Sequence, residues 1–217
     1  MISHAASRPI LEGIVTTLPT LSLLDGGLSP EALAAVNVAP MGPFVDEAVT
    51  HLTLRPFTTS TTYRNLKATG RGVFHVTDDA RMIALGAIGA LRLGPDVPVR
   101  RAEVVAGVVL TGACRYYEFE VVELDDRSPR TRIEARVVHM GRLRDFFGFN
   151  RARHAVLEAA ILATRLHLTG AASVLAEFDR LSVSVEKTGG PAEHQAMAEL
   201  RAFVVVAQDR PPASSPT

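Results

Sequence analysis

After Gly148 the chain changes period, and that change limits what it can fold into. Up to about residue 145, apolar side chains alternate with polar ones, the two-residue repeat of strands. Beyond Gly148 they recur every three to four residues, the repeat of helices. Tyr117, Phe119 and Val121 alternate with Glu118 and Glu120, and Ile133, Ala135 and Val137 alternate with Arg132, Glu134 and Arg136. These two runs, Arg115–Leu124 and Thr131–Arg142, predict a long hairpin around Asp125-Asp126-Arg127-Ser128-Pro129. One face is core, and the charges of the other pair across the strands on a solvated surface.

Earlier in the chain the strands are shorter. Ile10–Leu18 reads as a strand that Pro19 ends. Leu21–Ala35 is a looping excursion, with Ser29-Pro30-Glu31 starting a one-turn helix. Val36–Val45 is extended, but Pro40 and Pro43 confine it to an edge or a bulged strand. His51–Leu54 and Gly72–Val76 are further strands, and Glu103–Leu110 is a short apolar piece. Helices are expected at Thr61–Thr69, closed by Gly70, and from Ala80 to about Leu93 behind Thr77-Asp78-Asp79. Past the change of period come three helices: Asn150–Leu168, Ala171–Lys187 and one starting at Pro191. Short, mainly antiparallel strands followed by helices predict an α+β chain whose strands form a barrel. The expected division is 1–145 for the barrel, 146–209 for a helical subdomain packed on it or on a partner chain, and 210–217 for a disordered tail rich in Pro and Ser.

Composition removes several function classes. The 23 basic and 23 acidic side chains cancel, so no global field attracts nucleic acid or an anionic membrane. Trp is absent and there are 3 Tyr, which leaves few platforms for stacking bases. Arg142, Arg144, Arg151, Arg153 and His154 gather around Phe146-Phe147-Gly148-Phe149, yet Asp145 and the neutral total argue against a nucleic-acid surface. Cys114 is the single cysteine, so no internal disulfide forms, and its default role is a small buried hydrophobe. With no signal-peptide pattern and no apolar run long enough to span a bilayer, a soluble, cytoplasmic protein is expected. The 7 histidines are scattered without metal-ligand spacing, and no P-loop, GxGxxG or GxSxG occurs.

One stretch carries chemistry. Leu54-Arg55-Pro56-Phe57 runs into the hydroxyl side chains of Thr58, Thr59, Ser60, Thr61 and Thr62, and then into Tyr63-Arg64-Asn65-Leu66. Ser and Thr favour helix starts, where their oxygens accept orphan N–H groups. A helix start also offers free donors and partial positive charge to an anion. The residues alone leave open both a plain cap with surplus threonines and a phosphate site flanked by Arg55 and Arg64. Asn150, Arg151 and His154 would present polar groups from the first turn of a later helix towards a ligand or a subunit contact.

Glu12-Gly13-Ile14-Val15-Thr16-Thr17, Asn37-Val38-Ala39-Pro40-Met41-Gly42, the Leu54–Leu66 stretch and Val76-Thr77-Asp78-Asp79 follow one another in a recognisable order. Asn150-Arg151-Ala152-Arg153-His154-Ala155 and Val185-Glu186-Lys187-Thr188-Gly189-Gly190 follow later. In this the chain resembles an uncharacterised family of archaeal and bacterial flavoproteins in the FMN-binding split-barrel, flavin reductase-like superfamily, from Glu12 to about Leu200. The resemblance implies a mainly antiparallel split β-barrel with a C-terminal helical segment, a homodimer, and FMN near the subunit interface. It implies phosphate binding by Ser60, Thr61 and Thr62 with Arg55 and Phe57 beside them, and Pro40, Met41 and Gly42 along the isoalloxazine. Asn65, Thr77 and Asp78 follow as further candidates, and Asn150, Arg151 and His154 would reach cofactor or substrate, from the same or the other subunit. The function implied is an FMN-dependent oxidoreductase reduced by NAD(P)H or an F420-type donor. A flavin-binding carrier or sensor without turnover is the alternative, as is a structural dimer with a vestigial pocket. The chain departs from the family's pattern at Pro19–Val36, where a longer, leucine-bearing loop is expected to act as a lid or as extra dimer surface.

Overall fold

The computed structural model describes residues 8–94 and 97–208. The expected tail at 210–217 lies outside the described residues. Among those described, the chain up to Thr77 together with Arg92–Phe146 forms one compact unit, and Asp78–Leu91 with Phe147 onward forms a second.

The first unit holds β1 (Gly13–Thr17), the one-turn helix α1 (Pro30–Ala35), β2 (Asn37–Met41), β3 (Phe44–Val45), β4 (His51–Leu54), α2 (Thr61–Thr69) and β5 (Arg71–Val76). In the second unit α3 (Ala80–Ala87) follows. The chain then returns to the first unit for β6 (Val99–Arg101), β7 (Val108–Leu110), β8 (Arg115–Asp125) and β9 (Arg132–Arg142). Helices α4 (Arg151–Thr164), α5 (Leu166–Thr169), α6 (Ala171–Thr188) and α7 (Pro191–Gln208) complete the second unit.

Seven strands form one antiparallel sheet in the order β2-β1-β5-β8-β9-β4-β3. The register shows how it closes. β1 pairs with β2 from Thr17↔Asn37 to Gly13↔Met41, and Ile10↔Phe44 continues the same register past the kink at Gly42-Pro43. Leu11 N–H donates to the Pro43 carbonyl and Val45 N–H to that of Pro9, so β3 joins the strand that begins the sheet. β2 and β3 are therefore one bent strand. It closes the sheet at Phe44–Val45, where it also pairs with β4, and β2 pairs with β1 alone. The opening beside β2 is the split in the barrel. Pro40 and Pro43 permit it, because a residue without an N–H is tolerated on an unpaired edge. Gly42 has a steric reason as well: a Cβ there would lie 2.5 Å from Ile10 Cγ2.

Leu52, Leu54, Phe74, Phe119 and Ile133 fill the barrel and are fully buried. The long hairpin is present, but its alternation misleads at one position. Glu118 is completely buried, not on a solvated face. Its carboxylate accepts the N–H groups of Glu103, Val104 and Val105 at 2.7–2.9 Å, so a loop distant in sequence supplies the donors that a buried charge requires. The Pro19–Val36 excursion also has an internal role: Leu24, Ala32 and Val36 are buried with Leu18 and Val108, and Leu23 and Leu28 pack against them.

The second unit is built around α4, whose small residues Ala152, Ala155, Ala159, Ala160 and Ala163 are buried with Phe178, Val185, Leu200 and Val204. Small side chains let α3, α6 and α7 approach α4 closely. Two helices are shorter than their periodicity suggests. α3 ends at Ala87 because Gly89 takes φ +69°, a left-handed conformation that stops the helix. Arg165 (φ −109°) separates α4 from α5 within the expected Asn150–Leu168 helix.

Candidate functional site

The hydroxyl-rich stretch folds as a capped helix start. Ser60 is the N-cap of α2: its Oγ accepts the Tyr63 N–H at 3.2 Å and donates to the Phe57 carbonyl at 2.7 Å. Its carbonyl takes the Arg64 N–H. The amides of Thr61 and Thr62 find no acceptor among the described residues. At the other end Gly70 closes the helix in the left-handed region at φ 66°.

The two threonines differ. Thr61 is exposed, and its hydroxyl accepts from Arg64 Nη2 at 2.9 Å, while Arg64 Nη1 holds the Thr59 carbonyl. Thr62 is 2% exposed, and its Oγ1 accepts from Asn37 Nδ2 at 3.0 Å. The Asn37 amide also donates to Thr17 Oγ1, as does Asn65 Nδ2 at 3.1 Å. This network of Thr17, Asn37, Thr62 and Asn65 ties β1, β2 and α2 together. It commits Asn65 to the fold and leaves the Thr62 hydroxyl proton for a further acceptor.

Tyr63 and Lys67 fasten α2 on another side, both bonding Asp126 Oδ2, at 2.6 and 2.7 Å. Hydrogen bonds from Lys67 and Tyr63 hold the Asp126 carboxyl below its ordinary range. Arg55 is exposed and has no ion-pair partner among the described residues. Phe57 is half exposed under the Arg130 guanidinium, which lies 5.0 Å from its ring centre. Pro40, Met41 and Gly42 are half-buried on or next to the free edge of β2. At about 3.3 Å per residue, that edge runs roughly 13 Å from Asn37, beside the helix start, to Met41. The structure thus brings Ser60, Thr61, Thr62 and Asn65 to one helix start and joins them to β2 through Asn37.

The chain leaves the first unit between Thr77, which is buried, and Asp78. Within the second unit Asp78, 7% exposed, accepts the Phe147 N–H at 2.6 Å and faces Arg153. Arg153 Nη1 lies 3.2 Å from Asp78 Oδ2 without hydrogen-bond geometry, so that contact is purely electrostatic. Its Nε donates to Glu193, and the guanidinium covers the Phe147 ring at 4.3 Å. Asn150 caps α4, accepting the Arg153 N–H and donating to the Thr188 carbonyl. Arg151 and His154 are exposed, and His154 meets Phe149 edge-on.

Two family models match, one described as "Protein of unknown function (DUF447) N-terminal domain" over residues 31–144 and one as "Protein of unknown function (DUF447)" over 150–202. The first covers more than half of the chain. The chain belongs to the DUF447 family. Among solved structures, an FMN-bound DUF447 protein from Methanosarcina mazei superposes with a TM-score of 0.71 at 23% identity, covering 90% of this chain and 95% of that one. That likeness establishes the α+β split-barrel fold. The styrene monooxygenase flavin reductase of Pseudomonas putida S12 scores 0.43 at 15% identity over 64% and 84% of the two chains. Nitrilotriacetate monooxygenase component B of Bacillus cereus scores 0.45 at 17% over 63% and 70%. Neither carries further argument. A search of curated proteins finds no match.

For this DUF447 chain, three structurally central polar residues lie outside the candidates named from sequence. Asn37 had a usable signal, an asparagine where a strand disfavours one. Arg153 had none that separated it from neighbouring arginines. His75 is fully buried, accepting from the Leu110 N–H at its Nε2 and placing its Nδ1 proton on the Ile14 carbonyl. Burial pushes its pKa down to about 4 against the smaller opposing pull of that carbonyl bond. It is a satisfied core histidine joining β1, β5 and the β6–β7 hairpin. Among the described residues no group of His, Cys, Asp and Glu is arranged to hold a metal, and no helix is long and apolar enough to cross a membrane.

Proposed function

We propose that the chain binds FMN and acts as an oxidoreductase through it. The observation that carries this reading is the start of α2, where the Thr61 and Thr62 amides have no acceptor among the described residues and Arg55, with no ion-pair partner among them, follows β4. Open N–H donors, the helix dipole and a free guanidinium are the donor set a phosphate monoester requires. Ser60, Thr61, Thr62 and Arg55 would hold that phosphate, with Phe57 on its flank. The free edge of β2 supplies what the other end of the cofactor needs: the outward-facing backbone groups along Pro40-Met41-Gly42 for the polar edge of a flavin ring. Family membership and the FMN-bound Methanosarcina relative support the same reading. When bound, FMN supplies hydride and single-electron transfer, and the chain supplies grip, orientation and access.

The proposal extends to a cytoplasmic homodimer reduced by NAD(P)H or an F420-type donor. Exposed Val122 (68%) and Met140 (60%) on β8 and β9 support a self-association face. Within the helical unit Asp78 and Asn150 fix Arg153, and Arg151 and His154 are the exposed groups of the same helix turn proposed to reach cofactor, substrate or partner. Thr77 and Asn65 shape the fold around the site. Protein incubated with FMN and then desalted should retain a flavin absorbance spectrum, and an NAD(P)H or F420-type donor should bleach it. A colourless product sinks the flavin reading. A coloured product that no donor bleaches points instead to a carrier or sensor.

A further inference from the structure

The mouth of the barrel opens into a cavity of about 280 Å³ that the FMN reading does not use. It follows from the alternation of β5 and β8. Phe74 and Tyr117 point inward and stack at 6.2 Å, closing the filled interior. The next inward positions towards the strand ends are Val76 and Arg115, which are paired across the two strands. These two line the cavity together with Leu11, Cys114, Tyr117, Arg144, Asp145 and Phe146.

The charged groups there are two arginines and one carboxylate, Asp145, which is paired with Arg142. Arg144 is held in place, its Nε on the Gly112 carbonyl and its Nη1 on that of Asp145. Arg115 stands directly opposite Arg142 in the β8–β9 ladder, a like-charge pair that costs stability. Arg142 is compensated by Asp145. Arg115 has no ion-pair partner among the described residues. Arg115 is exposed to solvent at the rim of a mainly apolar cavity, so an incoming anion would meet a guanidinium that no other carboxylate holds.

We infer that this barrel mouth binds a small, flat organic carboxylate, with the Arg115 fork on its carboxyl group and its apolar body against Val76, Tyr117 and Phe146. The Arg fork matches a carboxylate bidentately. At about 30 Å³ per water, the space equals roughly nine waters, enough for a single-ring acid and too little for a dinucleotide. The cavity also adjoins β2's kink, since Leu11 donates its N–H to Pro43, the residue after Gly42. Its role as a substrate pocket beside the flavin ring rests on the FMN proposal; the binding of a carboxylate does not.

The probe is benzoate, titrated calorimetrically into the protein with and without FMN, against benzyl alcohol as its neutral counterpart. Benzoate should saturate at millimolar concentration or below and benzyl alcohol should not. Arg115→Gln should weaken benzoate by about tenfold or more, the worth of a charge-assisted bond, and Arg115→Lys should recover part of it. In the FMN-loaded protein, benzoate should also shift the flavin absorbance bands. No saturation by benzoate, equal binding of benzyl alcohol, or an unchanged benzoate affinity in Arg115→Gln each overturns the inference. Since Arg115 is not among the residues assigned to FMN, FMN affinity should be the same in Arg115→Gln. Failure of the native protein to bind FMN while it binds benzoate would overturn the flavin reading alone.

Discussion

Two helices in this molecule begin alike and end up with different capacities. α2 starts behind Ser60 and α4 behind Asn150, each cap accepting the N–H three residues on, and each start is flanked by arginines. At α4 the second amide of the first turn is used internally, and only the Arg151 N–H has no acceptor among the described residues. The Ala152 N–H goes to Thr188 Oγ1 and the His154 N–H to the Asn150 carbonyl, while the Asn150 amide bonds the Thr188 carbonyl at the end of α6. At α2 the corresponding early amides, those of Thr61 and Thr62, have no acceptor among the described residues. A capping sequence therefore does not make an anion site. What decides is whether another element arrives to satisfy the first turn. At α4, α6 does so. At α2, Asn37 engages the Thr62 side chain and the backbone donors stay open.

Acid should break the comparison at one end first. His75, in the first unit, has its pKa lowered to about 4 by burial, against about 6.5 in the unfolded chain. The unfolded state binds the extra proton between these values. Its contribution is complete above pH 6.5 and is lost as pH falls towards 4, a total of about 3 kcal/mol. In the second unit Glu193 lies below its ordinary 4.5: burial raises it, but the Gly190 N–H and Arg153 outweigh that. Its contribution is lost only as pH falls below that value. Urea unfolding followed at several pH values should therefore show the barrel weakening between pH 6.5 and 4, before the helical unit. His75→Phe should flatten that slope, and an unchanged slope would contradict the assignment to His75.

A smaller effect sharpens the comparison at α4. Asn150→Ala removes the cap and the bond to Thr188 and should cost about 1–2 kcal/mol of stability. The ratio of FMN to riboflavin affinity should stay at its native value, because the phosphate is assigned to the start of α2 and not to that of α4. Denaturant midpoints and flavin titrations of the same preparation would read both.

How much of this was legible beforehand depended on how local its cause is. α2 is bounded by Ser60 and Gly70, which act within one turn, and its observed limits coincide with those read from sequence. The β8–β9 hairpin was equally plain, since eleven-residue strands repeat the alternation many times. Glu118 was not, because its burial depends on the amides of residues 103–105, which alternation along β8 does not register. The end of α3 is not legible either, because its apolar spacing continues past Gly89, where the backbone turns left-handed. At the site, the hydroxyl cluster announced a helix start. The separation of Thr61, exposed, from Thr62, bound to Asn37, came only with the contact between α2 and β2. The open mouth at Arg115 was hidden for the same reason: nothing local shows that the facing residue is another arginine.

If the open first turn of α2 holds the FMN phosphate, Thr61→Pro should loosen that hold. Position 61 is the first residue of the helix, where proline is tolerated, and Ser60 before it is extended at ψ 151°, as a residue preceding proline must be. The substitution removes the Thr61 N–H and hydroxyl and leaves the helix standing. The account predicts that FMN affinity falls about ten- to a hundredfold, the loss of a hydrogen bond to a charged group, while riboflavin affinity holds. An FMN affinity equal to that of the native protein would contradict it.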